Sequence, residues 1–362
     1  MTMRAVRGFD HETAVADLAT NGTTFINGGG SINFVSGRTS GGKAIQFGAG
    51  YHYGILAVPL NAVVSSGTEV FIGGAATGVS GSGDTFFCIG VESPEGQLHA
   101  YVLFNGTNII AYRAAPGETY FTEGSPTSLG SVVYAFPAGW TRIEVGIKVH
   151  ATAGEIHVRV AGSATDILTV TGANTLGDTN SGMSGIAFAA VGSPSNTLIS
   201  SNTGATWDDM YCCDSAGTVN NNFLGEGLVT TCFATADNTV QFARLSGGSN
   251  FAMVDETAMD SDTTYNASAT AGQSDLFAHG GVATTFNIRA AQITNASRKD
   301  AAGTCSLANI ISSNGIDETG ATNPLATSYY YFSDIAELDP STGAPWTVSG
   351  FNSTLIGYGR VA

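Results

Sequence analysis

Two adjacent carboxylates are the clearest chemical signal in this sequence. Asp208 and Asp209 follow Trp207 in a segment that is otherwise mostly apolar. Because neighbouring strand residues point to opposite faces, one of the two carboxylates should turn inward. There it would accept hydrogen bonds from backbone N–H groups of a neighbouring loop, which are costly to leave bare. Calcium binding is the alternative, although this pair supplies few of the six to eight oxygens that calcium takes. We expect the structural role, no cofactor, and calcium at Asp208 and Asp209 only as the alternative.

A run of aromatic residues, 329–332, is the second candidate site. Alternate members of a strand face the core and the outside, so at least one tyrosine should be exposed. Exposed rings can stack on sugars or pack against a partner subunit, and aromatic enrichment in interface cores favours packing. The interface or glycan candidates are Tyr329, Tyr331 and Trp346.

The segment around Phe332 also invites comparison with the active strand of jelly-roll glycosidases. Retaining enzymes need two carboxylates about 5–5.5 Å apart on one face. Asp334 and Glu337 match that pattern, but Phe332 stands where the nucleophile should be. We therefore expect no hydrolysis and name no catalytic residue.

Residues 37–43 nearly spell a phosphate-binding loop. Ala44 replaces the Ser or Thr that should coordinate magnesium, and the following residues alternate like a strand. The phosphate cradle requires a helix N-terminus at that point. Nucleotide binding is not expected.

Charge excludes several partner classes. The 13 Lys and Arg residues face 29 Asp and Glu, which gives a net charge of −16. Nucleic-acid binding depends on basic residues that neutralise phosphates, and an anionic membrane would repel this chain. No stretch approaches the ~20 apolar residues of a membrane span. We expect neither nucleic-acid binding nor membrane insertion.

The cysteines and the N-terminus indicate where the chain is made. There are five cysteines, an odd number, and no CxxC motif. Buried reduced thiols are the simplest interpretation. The first ten residues hold no apolar signal-peptide region. Synthesis in a host cytoplasm is expected.

Alternation with period two dominates the chain and predicts strands. Examples are residues 69–73, 85–91, 98–104, 108–113, 227–234 and 284–293. The strongest pattern is a hairpin of residues 140–149 with 155–160, in which Arg142, Glu144 and Lys148 share the face opposite Ile143 and Val145. Residues 11–19 are the single predicted helix.

The length of 362 residues exceeds what one core usually serves, since cores tend to split beyond ~250–300 residues. The polar, glycine-containing stretch 214–222 is typical of a boundary. We predict two domains, 1–217 and 218–362. Many short strands with small-residue turns favour an antiparallel sandwich or jelly roll.

A series of short motifs resembles concanavalin A/laminin-G-like jelly-roll domains, and more narrowly those of tailed-phage virion proteins. In the first domain it comprises residues 8–10 (GFD), 36–45 (SGRTSGGKAI), 140–144 (WTRIE), 154–160 (GEIHVRV) and 207–211 (WDDMY). In the second domain it comprises 264–265 (TY), 297–304 (SRKDAAGT), 339–346 (DPSTGAPW) and 355–357 (LIG), which resemble the C-terminal β-domain of such proteins. The resemblance implies an all-β chain: an N-terminal antiparallel, concanavalin A-like jelly-roll sandwich and a C-terminal β-sandwich-like domain for assembly or attachment.

The same resemblance implies a non-enzymatic structural protein on the outside of a phage particle, in a tail fibre, tail tip or capsid decoration. Its expected partners are other virion proteins, copies of itself and a host-surface glycan. A trimer is one option for the homo-oligomer, which the sequence does not fix. A lectin-like carbohydrate-binding module is the main alternative, and a glycan depolymerase comes last.

Overall fold

The computed structural model describes residues 3–10, 24–27, 32–39, 42–47, 53–78, 86–119, 121, 125–191, 205–257 and 259–362. The chain divides into two compact units, with the break between Val229 and Thr230. The predicted boundary lies earlier, at residue 217, and remains a prediction. The predicted helix at 11–19 lies outside the described residues.

Unit 1 is an antiparallel sandwich of two large sheets. Its strands are β1 (Met3–Arg7), β2 (Thr24–Asn27), β3 (Ile32–Ser36), β4 (Lys43–Phe47), β5 (Tyr53–Val64), β6 (Glu69–Thr77), β7 (Phe86–Glu92), β8 (Leu98–Phe104), β9 (Asn108–Arg113), β10 (Thr127–Val133), β11 (Thr141–Lys148), β12 (Gly154–Val160), β13 (Leu168–Ala173), β14 (Met183–Val191) and β15 (Ala205–Asp214). Sheet A has the order β13-β12-β11-β6-β15-β4-β3, with β1 paired to β15. Sheet B has the order β10-β9-β8-β7-β14-β5-β2.

Alternation places one face of each sheet in a common core. Ile143, Val145 and Ile147 of β11 are fully buried, as are Ile156 and Val158 of its partner. This is the expected hairpin, with Val145 opposite Val158, and the prediction is confirmed. The described part of the chain is therefore almost entirely β, with an N-terminal antiparallel jelly-roll sandwich.

Unit 2 is a second, smaller β structure. Its strands are β16 (Ala234–Thr239), β17 (Ala243–Arg244), β18 (Asn266–Ala267), β19 (Ser274–His279), β20 (Ala291–Ser297), β21 (Ser306–Ser313), β22 (Ile316–Thr319), β23 (Asn323–Pro324), β24 (Tyr330–Ala336) and β25 (Leu355–Arg360). A short helix α1 (Val348–Asn352) precedes β25. Sheet C, in the order β16-β19-β25-β21-β22, packs its apolar face against the β20–β24 pair, which gives the sandwich-like arrangement.

Turn chemistry fixes the β21–β22 hairpin. Asn314 and Gly315 join the strands with φ values of 50° and 76°. Two-residue hairpin turns of this kind need positive φ at both positions, which Asn and Gly tolerate best.

Of the six strand segments predicted besides the hairpin, four correspond to strands of the structure and two do not. Residues 98–104 and 108–113 are β8 and β9 as predicted. Residues 227–233 form no strand. Within this segment the backbone N–H of Val229 donates to the side chain of Asp209 and not to the backbone of a neighbouring strand. Residues 284–290 begin with a turn, and the strand starts only at Ala291, where β24 supplies a partner.

The five cysteines are free thiols, as expected from the sequence. No disulfide links the five cysteines; Cys88, Cys212 and Cys213 are buried, and Cys232 and Cys305 are half-buried. In the described part of the chain, no helix has the length and apolar character needed to cross a bilayer.

Candidate functional site

Asp208 and Asp209 lie at an irregularity in β15, where its register with β6 shifts and Asp209 takes a φ of 53°. Both side chains are buried. Asp208 accepts hydrogen bonds from the backbone N–H of Arg38 (2.8 Å) and of Asp209 (2.8 Å). Asp209 accepts one from the backbone N–H of Val229 (2.7 Å). These bonds are of the kind expected for a structural role, since each pairs a buried carboxylate with a backbone donor.

The oxygens of this pair do not offer an open ligand set for calcium. N–H donors already face them, including the Arg38 guanidinium 3.4 Å from Asp209. The nearby Asp10 is likewise engaged, accepting from the backbone N–H of Lys43 (2.8 Å). Among the described residues, no group of three or more His, Cys, Asp or Glu side chains is arranged to hold a metal ion. Calcium binding at Asp208 and Asp209 remains a prediction from the sequence.

Burial of Asp208 predicts a specific pH dependence. Desolvation raises its pKa from 3.8 to about 6, against the lowering effect of the Arg38 N–H. A raised folded-state pKa means that the contribution of Asp208 to stability is full below its unfolded pKa and is lost as pH rises. The free energy of unfolding of the wild type, relative to Asp208→Asn, should therefore fall between pH 4 and pH 6. Urea unfolding of both proteins across this range measures the difference.

Glu155→Gln is the control for this pH experiment. The hydrogen bond from Lys148 lowers the pKa of Glu155, so its small contribution has the opposite sign and is lost as pH falls. A flat pH dependence for the Asp208 difference would contradict the raised pKa.

Residues 222–229, which we call the strap, cover part of the outer face of sheet A. Glu144 accepts hydrogen bonds from the Tyr211 hydroxyl and from the backbone N–H of Gly225 (2.8 Å). The Tyr211 hydroxyl in turn accepts from the backbone N–H of Leu224 (3.0 Å). Desolvation and then the charge of Glu144 raise the pKa of Tyr211 well above its usual value, which keeps the phenol a donor. The strap is thus held by side chains instead of a strand partner.

Arginines complete the strap's attachment. Arg142 donates to the backbone carbonyl of Asp209 (3.0 Å), and its guanidinium lies 5.1 Å from the centre of the Tyr211 ring. Arg38 pairs with Glu226 (2.7 Å) and donates to the carbonyl of Gly227 (3.1 Å). As a result, Arg142 is 3% exposed and Glu144 is 1% exposed. The sequence assigned these residues to the outer face but gave no sign that this face is covered.

Beside the strap lies a compact group of half-exposed charged side chains, which we call the outer-face patch. It occupies the outer face of β6, β11 and β12 and the turn before β13, and its side chains are 19–31% exposed. Their distances from one another run from 2.6 to 3.9 Å. The members are Glu69, Lys148, Glu155, His157, Arg159 and Asp166.

Histidine 157 is the centre of the outer-face patch. Its Nδ1 lies 2.9 Å from Asp166, and its Nε2 lies 3.4 Å from Glu155 and 3.9 Å from Glu69. Arg159 also bonds to Asp166 (2.6 Å), and its guanidinium stacks 4.1 Å from the centre of the Phe223 ring. Donors, acceptors and an aromatic ring are therefore adjacent on one sheet face.

The carboxylates of the patch differ in pKa. Desolvation raises the pKa of Glu69, although His157 opposes it. For Asp166, desolvation is outweighed by the hydrogen bonds from Arg159 and His157, which lower its pKa. Gly146 leaves room for Glu69: a Cβ at this position would lie 2.5 Å from Glu69 Oε1. Glu69 Oε1 is buried and accepts no hydrogen bond from the described residues.

Of the three aromatic candidates in unit 2, Tyr329 alone is partly exposed, and it lies in a polar setting. The Tyr329 hydroxyl donates to the carbonyl of Ser261 (3.0 Å) and lies 2.9 Å from Asp262. Arg298 lies 5.3 Å from the ring centre and pairs with Asp262 (2.8 Å). One face of Tyr329 is thus covered by an arginine of its own unit.

The other two aromatic candidates are core residues of unit 2. Tyr331 is 8% exposed and Trp346 is 4% exposed. Trp346 donates from Nε1 to the carbonyl of Ala336 (3.0 Å), and its ring meets Phe351 edge-on. These two rings leave little surface for a ligand within their own unit; their role in an interface or glycan site stays a prediction.

The glycosidase-like segment is likewise engaged in structure. Asp334 accepts hydrogen bonds from Asn309 Nδ2 (2.9 Å) and from the backbone N–H of Ala321 (3.0 Å). Glu337 and Phe332 are buried. The near-phosphate loop also leads into β4 at Lys43, which is a strand and not a helix.

Several solved structures are similar to part of this chain in fold. The potassium-bound carbohydrate recognition domain of Emp46p matches at 11% identity and a TM-score of 0.38, over 59% of this chain and 97% of that one. An endo-1,3-beta-glucanase from Streptomyces sioyaensis matches at 11% identity and a TM-score of 0.39, over 59% and 96%. The CBM2 module of the evolved Dit of Lactobacillus casei BL23 phage J-1 matches at 10% identity and a TM-score of 0.35, over 58% and 95%.

These similarities are remote and stop at the fold. No family model matches the chain, and no curated protein matches it in sequence.

Proposed function

We propose that this protein is a non-enzymatic structural protein exposed on a tailed-phage particle, and that unit 1 binds host-surface carbohydrate through the outer-face patch. The observation that carries the proposal is the density of half-exposed donors and acceptors around His157. Sugar hydroxyls donate and accept at once, so they fit carboxylates beside a guanidinium and an imidazole. Hydrogen bonds to charged groups are also the stronger ones.

The charge of the patch favours a neutral sugar. Three carboxylates stand beside Lys148, Arg159 and a histidine, so the local charges nearly balance. The chain as a whole carries −16, which repels anionic polysaccharides at long range. Phe223 adds an apolar ring edge at the border of the patch. We infer a neutral hexose or N-acetylhexosamine oligomer as the ligand class.

The same site argues for binding without turnover. A glycosidase requires a carboxylic acid that stays protonated near neutral pH and faces the substrate. Glu155 and Asp166 have lowered pKa values, held by Lys148 and by Arg159 and His157. Glu69 has the raised pKa, but its Oε1 is buried over Gly146. Of the three carboxyls of the patch, only Glu69 has a pKa raised toward protonation, and one of its two oxygens is withdrawn from the surface.

The virion setting is supported by the motif series that resembles tailed-phage proteins. A single partly exposed surface site binds one sugar weakly, and repeated copies on a particle would raise the overall affinity through multivalency. We therefore infer assembly with copies of itself and with other virion proteins. We assign unit 2 to assembly or attachment.

Replacing Arg159 with alanine should weaken sugar binding at least about tenfold, a loss of roughly 1.4 kcal/mol. The change removes a donor and releases Asp166 and the Phe223 ring. Wild-type protein is first screened on an array of neutral oligosaccharides. Isothermal titration with the best-binding oligosaccharide then compares the two proteins.

Arg298→Ala, which removes the arginine over Tyr329 in unit 2, is the matched control and should leave affinity unchanged. Loss of binding in Arg298→Ala alone would move the site to Tyr329. If wild-type protein binds no oligosaccharide on the array, with or without calcium, the carbohydrate proposal is wrong. Release of reducing ends from a bound oligosaccharide would contradict the absence of turnover.

A further inference from the structure

One side of the unit 1 sandwich ends in two neighbouring edge strands. β10 is the last strand of sheet B, and β13 is the last strand of sheet A. The two edges lie together: a Cβ built on Gly130 would be 3.2 Å from Val170 Cγ2. We call this side, formed by residues 127–136 and 167–173, the neutral seam.

The hydrophobic core is incompletely covered along the neutral seam. Val133 is 81% exposed, more than any other large apolar side chain in the described part of the chain. Several partly buried apolar residues reach the core from this side instead of being enclosed by it. They are Leu129, Val132, Tyr134, Phe136, Ile167 and Ala173.

Edge strands usually carry protection against pairing with other chains, in the form of lysine, proline or inward-pointing charges. Residues 127–136 and 167–173 contain no charged residue and no proline. A bulge interrupts β10 between Ser128 and Gly130, but pairing with β9 is regular from Gly130 to Val133. The free edge of β10 therefore offers a regular row of backbone donors and acceptors.

The chemistry of the seam selects its partner. Two copies of a chain with a net charge of −16 repel each other wherever their acidic surfaces meet. At the neutral seam two copies can approach without bringing like charges together. A strand edge is also self-complementary, because two identical antiparallel strands around a two-fold axis satisfy each other's backbone groups. The half-exposed apolar side chains would be covered by the same contact.

We propose that the neutral seam is the contact between two copies of this chain, with β10 pairing antiparallel to β10 of the second copy so that sheet B continues across the dimer. This inference rests on the self-assembly part of the proposed function and names its surface and symmetry. It is separable from carbohydrate binding, because the pairing strand β10 belongs to sheet B, whereas the outer-face patch lies on sheet A.

Analytical ultracentrifugation of the full chain over a wide concentration range tests the contact. Wild-type protein should sediment with twice the 36.9 kDa mass of one chain. Val133→Lys and Ser131→Lys place an ammonium on the pairing edge, and each should raise the dimer dissociation constant about 100-fold or more. Val63→Lys is the matched control, since Val63 is 58% exposed on β5 and outside the seam.

The outcomes separate the proposals. A monomeric wild type, or an oligomer that survives both seam variants, would overturn the seam contact. An oligomer lost equally in Val63→Lys would also overturn it. Circular dichroism verifies that the variants are folded. Oligosaccharide affinity per chain should stay unchanged in Val133→Lys, so failure of sugar binding and failure of dimerisation are distinguishable.

Discussion

Replacing Trp207 with alanine is expected to destabilise unit 1 by about 3–5 kcal/mol, the range for truncating a buried aromatic side chain. Trp207 is fully buried, and its ring meets Phe87 and Phe188 edge-on at 5.0 and 5.3 Å. Gly74 also lies against it, where a Cβ would be 3.3 Å from the indole. Both sheets of the sandwich contact this ring, so neither can move to fill the cavity without disturbing the other.

Hydrogen exchange measured peptide by peptide is the suitable readout, because it reports the opening free energy of each unit separately. Peptides from β6, β7 and β14 should exchange far faster in Trp207→Ala. Trp140→Ala serves as the control: Trp140 is half-exposed at the start of the hairpin, and a loss of about 1 kcal/mol or less is expected. Equal losses in the two variants would mean that Trp207 is not the centre of the core.

Replacing Glu144 with alanine should cost about 3 kcal/mol and release the strap. The change leaves the Tyr211 hydroxyl and the Gly225 N–H without their buried acceptor. Each unsatisfied buried donor costs about 1–3 kcal/mol. Because Leu224 depends on the same tyrosine, the amides of Leu224 and Gly225 should lose their protection from exchange first.

Two further variants separate the role of Glu144 from a general effect of losing a carboxylate. Glu144→Gln keeps an acceptor and should retain part of the stability. Glu155→Ala removes a carboxylate that is 31% exposed on the neighbouring strand, and we expect a loss below about 1 kcal/mol. Protected strap amides in Glu144→Ala would contradict the proposed attachment.

The pattern of the sequence was most informative where burial follows local alternation. Period two in residues 140–149 and 155–160 predicted the hairpin and the face of each side chain, because in a strand the direction of a side chain depends only on its position. The same argument failed for residues 227–233. Their alternation has no partner strand, and the backbone N–H groups of Val229 and the nearby Gly225 donate to the side chains of Asp209 and Glu144.

By itself, the sequence determined the all-β class and the main hairpin, since these follow from local periodicity, and its net charge of −16 predicts that polyanionic partners are repelled. The tertiary structure alone decided that Arg142 and Glu144 are buried, that His157 gathers carboxylates from three segments, and that Trp346 belongs to a core. The physical reason is distance along the chain. Glu144 meets Tyr211 67 residues away and Gly225 81 residues away, and alternation encodes which face a side chain takes but not what will cover that face.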